Sequence, residues 1–155
     1  LNKIIENIES DLELLIQQKQ AKIIKEKLPE IDGADVLIHQ LFYNLINNAL
    51  KFSKKEVPTI IEINSSLEVT EEGEKWVKIT VADNGIGIDP SFSEKIFDVF
   101  SRLNAKDDYE GTGLGLALCK KIVERHHGTI SATGKREENT IFTILLPQNQ
   151  EREVW

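Results

Sequence analysis

A chain of 155 residues with 40% apolar content is long enough to bury one core and too short for two ordinary domains, so one domain is expected. Its net charge of −7, with no basic stripe along the sequence, excludes a partner whose recognition rests on a phosphate backbone, and no nucleic-acid partner is expected. No apolar run approaches the roughly 20 residues of a bilayer span, the first residues do not form a signal-peptide core, and the single Cys119 cannot close an internal disulfide, so a soluble, cytoplasmic domain is expected.

Leu1, Ile4, Ile5, Ile8, Leu12, Leu15 and Ile16 recur at spacings of three and four and predict a first amphipathic helix. Leu1 is not an initiator methionine, so the chain is expected to be a piece of a longer protein, either soluble or membrane-anchored. AKIIKEKLPE loses the helical period and ends at Pro29, which predicts a short strand. From Asp35 to about Ser53, Leu37, Leu41, Leu45, Ala49 and Phe52 restore the stripe of a second helix. TIIEINSSLEV and KWVKITVAD alternate with period two around TEEGE and predict an antiparallel hairpin.

The second strand of that hairpin ends in Asp83-Asn84-Gly85-Ile86-Gly87-Ile88. Glycine lets the backbone take positive φ and lets a ligand come close, yet Asp-Asn-Gly is equally a turn signal, and the local sequence leaves both readings open. Pro90 to Arg102 reads as a short helical segment and RLNAKDDYEGTG as a mobile loop. LGLALCKKIVERHH predicts a third helix, in which Cys119 fits a small buried apolar position, and GTISATG and TIFTILLP predict two strands around GKREEN. QNQEREVW is a polar tail. The order predicts an α+β fold: a two-layer sandwich of a mixed, mostly antiparallel sheet with three helices on one face.

Two clusters carry chemistry. Asn44, Asn48 and Lys51 stand at i, i+4 and i+7 of the second helix and share one stripe beside the apolar one. Asparagine is a weak helix former, and Asn47 makes three in one helix, so either a solvated polar face or a ligand accounts for them. An amide oxygen and an ammonium suit a Mg²⁺ that already holds phosphate oxygens and waters, because such a site needs few protein ligands. Gly111-Thr112-Gly113-Leu114-Gly115 opens the third helix, where unsatisfied N–H groups and the helix dipole can seat phosphate; a glycine-rich hinge is the other reading. The segment is neither a P-loop nor a dinucleotide fingerprint, because no Lys-Ser or Lys-Thr follows and the spacing is GxGxG.

Taken together and in order, NLINNALKF, DNGIGI, IFDVFSRL and GTGLGLAL resemble the N, G1, F and G2 boxes of the catalytic, ATP-binding domain of sensor histidine kinases, a branch of the GHKL superfamily that includes gyrase-type ATPases. The resemblance runs from about Ser10 to Gln148. It implies a Bergerat-type fold with five strands, a catalytic domain over residues 9–148, the end of an upstream dimerisation hairpin over residues 1–8, and a tail over residues 149–155.

The resemblance also implies roles. Asp83 would accept a hydrogen bond from the adenine amino group, Gly87 would let the purine approach, and Thr140 would help the pocket through water. Asn48 would bind Mg²⁺, Asn44 and Lys51 would lie near the phosphates, and Arg102 and Lys106 would lie in a lid. Gly111, Gly113 and Gly115 would let lid and helix close, and Gly85, Ile88, Phe100, Thr112, Leu114 and Leu116 complete the nucleotide-binding set. Asn44, Lys51 and Arg102 are the implied catalytic residues, with ATP and Mg²⁺ as cofactors. The related ATPases carry a glutamate general base at the position of Asn44; an amide has no such basicity, so the site would hold ATP until an outside nucleophile arrives.

That nucleophile would be a histidine on the upstream hairpin, with a response regulator receiver domain as the further partner and a homodimeric parent. The alternative is an anti-sigma-type serine kinase of the same superfamily, whose lid lacks an IFDVFSRL-like box, and a third possibility is a module that binds ATP without chemistry. Asn139 and His127 stand where the family often has glycine. His39, His126 and His127 are not expected to accept phosphate or bind metal, and Trp76 and Phe142 are expected to pack in the core or at a sheet edge.

Overall fold

The computed structural model describes residues 1–88, 90–92, 95–98 and 115–149. The first apolar stripe forms two helices, α1 (Asn2–Asp11) and α2 (Glu13–Gln18), separated where Leu12 leaves helical geometry at φ −102° and ψ 13°. The chain then turns through Gln20 at φ +49° into β1 (Lys22–Lys25). Ala21 N–H bonds the Ile16 carbonyl at 2.8 Å and Gln20 N–H that of Gln17 at 3.1 Å, a Schellman closure built without glycine.

Helix α3 (Asp35–Lys51) is followed by β2 (Ile60–Val69) and β3 (Lys75–Asp83). Two single 3₁₀ turns, Pro90–Phe92 and Lys95–Phe97, occupy the described part of the predicted short helical segment; the predicted mobile loop lies outside the described residues. Helix α4 (Gly115–Arg125), β4 (Thr129–Lys135) and β5 (Asn139–Pro147) complete the chain.

The five strands form one sheet in the order β1-β2-β3-β5-β4. The β1–β2 pair is parallel and the other three are antiparallel. Strand alternation puts Ile61, Ile63, Val77, Ile79, Ile144 and Leu146 on the face that meets the helices, where each is at most 1% exposed. From the other layer come Ile5 and Ile8 of α1, Phe42, Leu45 and Ile46 of α3, and Cys119 and Val123 of α4. Each fully buried Leu, Ile or Phe stabilises the layers by about 1.5–3 kcal/mol relative to leaving it exposed. Phe142 lies in this core, edge-on to Phe97, while Trp76 is half-buried in β3.

Residues 1–8 are packed into this architecture. Ile5 and Ile8 are fully buried, and Asn2 grips Leu28 through both its amide atoms, accepting from its N–H at 2.9 Å and donating to its carbonyl at 3.0 Å. The boundary drawn between residues 8 and 9 falls inside α1, which runs from Asn2 to Asp11.

Candidate functional site

Strand β3 ends at Asp83, which pairs across the sheet with Ile61 on one side and Thr140 on the other. The sequence positions thus bring a carboxylate and a hydroxyl side by side, and Thr140 is 7% exposed. Asp83 Oδ1 accepts the Gly85 N–H at 2.9 Å, closing an Asx turn that aims the chain off the sheet. Burial pushes the Asp83 carboxyl up to about 6 from 3.8, opposed by that N–H. A half-buried carboxylate with one donor among the described residues has further acceptor capacity for a polar ligand.

The loop after Asp83 is held from two sides. Asn84, which the sequence marks only as a turn residue, accepts the Ile60 N–H at 2.8 Å and donates to the Pro58 carbonyl at 3.1 Å, tying the loop to the segment that enters β2. Ile86 N–H bonds the Phe52 carbonyl at 3.0 Å, just beyond α3, and a Cβ at Gly85 would lie 2.5 Å from the same oxygen. On the other side, Glu137 N–H bonds the Ile86 carbonyl at 2.6 Å. Gly87 sits at φ +71°, and a Cβ there would overlap the Lys135 carbonyl oxygen. Backbone just beyond α3 and from the β4–β5 turn thus takes the space a side chain would fill at Gly85 and at Gly87.

On α3, Asn44, Asn47 and Asn48 are half-buried, and Lys51 is exposed in the last turn. The polar stripe thus borders the core as its spacing predicts. Asn44 lies beside Cys119 of α4, whose thiol donates to the Leu41 carbonyl at 3.7 Å and is pushed up to about 12 chiefly by burial, the Asn44 amide opposing. Asn44 Nδ2 is buried and finds no hydrogen-bond partner among the described residues. The N–H₂ that opposes the rise of the Cys119 thiol is this same group, so the Asn44 amide is turned toward α4 inside the core. Ile88 and Leu116 are half-buried against the core, and Gly115 begins α4 with no atom of the described residues within 4 Å of the position a Cβ would take. Phe100, Arg102, Lys106, Gly111, Thr112, Gly113 and Leu114 lie outside the described residues.

Among the described residues no group of three or more His, Cys, Asp or Glu forms a metal cluster. Asn48 is the sequence-predicted metal ligand, and a single neutral amide suits a hard cation that brings phosphate oxygens and waters as its other ligands.

His39 faces Asp11 at 3.5 Å and stacks on Tyr43 with ring centroids 6.2 Å apart. His126 is fully buried: Nε2 accepts the Ala34 N–H at 3.1 Å and Nδ1 lies 2.8 Å from the Ile122 carbonyl, so one neutral tautomer satisfies both. His127 ends α4 at φ +62°.

A family model described as "Histidine kinase-, DNA gyrase B-, and HSP90-like ATPase" matches residues 33–150. The chain is 40% identical over 147 residues to cyanobacterial phytochrome A of Nostoc sp., covering 95% of this chain and 18% of that protein. It is 40% identical over 118 residues to the sensor histidine kinase WalK of Bacillus subtilis, covering 75% of this chain and 18% of that protein. It therefore spans about a fifth of the length of these relatives. The nucleotide-free catalytic domain of the histidine kinase ThkA superposes with a TM-score of 0.78 at 27% identity, covering 97% of this chain and 95% of that one. ThkA in complex with the response regulator protein TrrA superposes at 0.72 and 26%, covering 96% of this chain and 40% of that one. The chain belongs to the histidine kinase-, DNA gyrase B- and HSP90-like ATPase family, in its sensor histidine kinase branch.

Proposed function

We propose that this domain binds Mg-ATP and presents its γ-phosphoryl group to a histidine on a dimerisation hairpin that precedes it in the parent protein. The observation that carries the reading is the carboxylate–hydroxyl pair of Asp83 and Thr140, held at the sheet end beside a backbone loop fixed from two sides. Asp83 accepts the hydrogen bond of the adenine amino group, Thr140 supports the same edge, and Ile88 and Leu116 give the purine apolar contact. Asn48 holds the Mg²⁺, which when bound offsets phosphate charge. Asn44 lies near the phosphates, and Lys51 adds positive charge from the last turn of α3. Arg102, Lys106 and the glycines from Gly111 to Gly115 complete the phosphate side, as the sequence resemblance implies.

Asn44 cannot take a proton from water, so hydrolysis by the domain alone is slow and transfer waits for an imidazole nitrogen on the hairpin. A receiver domain of a response regulator then takes the phosphoryl group from that histidine, in keeping with the ThkA–TrrA complex. Incubation with γ-labelled ATP tests the reading. The domain alone should stay unlabelled, and addition of the parent's hairpin should give an acid-labile, base-stable label on a hairpin histidine. Rapid ATP turnover by the isolated domain, or an acid-stable label on a partner's serine, would remove the assignment.

A further inference from the structure

We infer that Asn139, at the start of β5, is a positioning residue for the nucleotide loop, acting from behind it through the β4–β5 turn. The inference rests on the reading of Asp83–Ile88 as the nucleotide loop. Three contacts join that loop to the turn, and none of them involves a side chain that would touch nucleotide. Glu137 N–H bonds the Ile86 carbonyl at 2.6 Å; the Lys135 carbonyl fills the space of the missing Cβ of Gly87; and the Asn139 carbonyl lies 2.9 Å from that same Cβ position. The backbone of Ile86 and Gly87 thus rests on the turn, and its height above the sheet follows the turn's conformation.

The turn's conformation is in turn held by the Asn139 side chain. Asn139 Oδ1 accepts the Lys135 N–H at 3.1 Å, and Glu138 N–H bonds the Lys135 carbonyl at 3.1 Å. Lys135 is therefore fixed at its N–H and at its carbonyl, and that carbonyl is the one on which Gly87 rests. Glu137 sits at φ +66°, a conformation that a non-glycine residue holds only where its surroundings define it. Residues 135–138 are exposed, so the side-chain clip from Asn139 stands in for packing that the turn lacks. Asn139 also precedes Thr140, the partner of Asp83, so one residue links the turn to the pocket's hydroxyl. Glycine at position 139 would keep the strand and lose the clip.

Without the clip, Lys135 N–H takes water, the turn samples open forms, and the loop must be ordered when nucleotide binds. That ordering cost appears as lost affinity, about three- to tenfold. It falls on the adenine end, so adenosine and ADP lose the same factor. Calorimetry on the whole domain tests this. Asn139→Ala should weaken ADP and adenosine equally, with the thermal midpoint of the empty protein held within a few degrees, and Asn139→Asp, which keeps an acceptor oxygen, should recover the affinity. Unchanged ADP affinity in Asn139→Ala, or a loss that Asn139→Asp does not recover, overturns the positioning role. Should Asn139→Ala fold poorly, amide exchange on the unaltered protein decides: ADP should slow exchange at Lys135 and Glu137, and unaltered exchange at both overturns the inference. An unaltered domain that binds no ADP instead removes the nucleotide-loop reading itself, so the two failures are distinguishable.

Discussion

Asp83 is ionised at neutral pH in a place that disfavours charge. Its folded value of about 6 lies above the unfolded 3.8, so its contribution to stability is fully present below about pH 4 and is lost as pH rises through 6. Nucleotide affinity runs the opposite way, because the carboxylate is the better acceptor for the adenine amino group; it should weaken as pH falls below 6. Asp83→Asn separates the two effects. At pH 7 it should cost about 1.5–3 kcal/mol of binding, roughly ten- to a hundredfold. The empty protein should melt higher, by an amount on the order of 1–3 kcal/mol, and a calorimetric series from pH 5 to 8 checks both signs. The metal reading is tested at Asn48: Asn48→Ala should weaken Mg-ATP binding and leave metal-free ADP binding nearly unaltered, as titrations with and without Mg²⁺ would show. At this scale, spacing placed the α3 amides beside the apolar stripe, whereas Thr140 and the ligand role of Asp83 came from the family resemblance. Asn84, Asn139 and the work done by the two glycines were not legible, because each depends on backbone from a distant part of the chain, and local sequence carries no mark of that neighbour.

The elements were readable where periodicity is strong and unreadable where conformation departs from residue preference. Helix α3 and strands β2, β3 and β5 stand where their periods place them. The break at Leu12 has no signal, since a leucine in mid-stripe favours continuing the helix. Both α2 and α4 end in left-handed residues that are not glycine, Gln20 and His127. At α4, Gly128 N–H bonds the Val123 carbonyl at 2.9 Å and His127 N–H that of Glu124 at 3.0 Å, so the departure at His127 is absorbed by a regular closure. His127→Gly should therefore raise stability by up to about 1 kcal/mol without altering nucleotide affinity, measured by denaturant midpoint and calorimetry. Gly128→Ala should do the reverse, because a Cβ there would overlap the Leu145 carbonyl oxygen.

For the molecule as a whole, layer architecture followed from the order of elements, but the strand order did not. Hairpin logic pairs β4 with β5 and β2 with β3; nothing in it says that β5 and not β4 joins the two hairpins. That choice follows from burial. β5 alternates fully, with every second residue from Thr140 to Leu146 buried, whereas β4 buries only Ala132 and accepts the edge. The last strand to be made is thus inserted beside the sheet's middle strand. During synthesis, at about 5–20 residues per second, β3 waits several seconds for its second neighbour, with one hydrogen-bonding side open. The bond between His126 and Ala34, which straps α4 to the entry of α3, also waits for the second half of the chain. A domain of this connectivity cannot fold progressively as it leaves the ribosome. A nascent chain stalled between Asp83 and Asn139 presents an unpaired apolar strand to whatever chaperone or sister chain is nearby, and a chain cut before Asn139 should show no cooperative thermal transition.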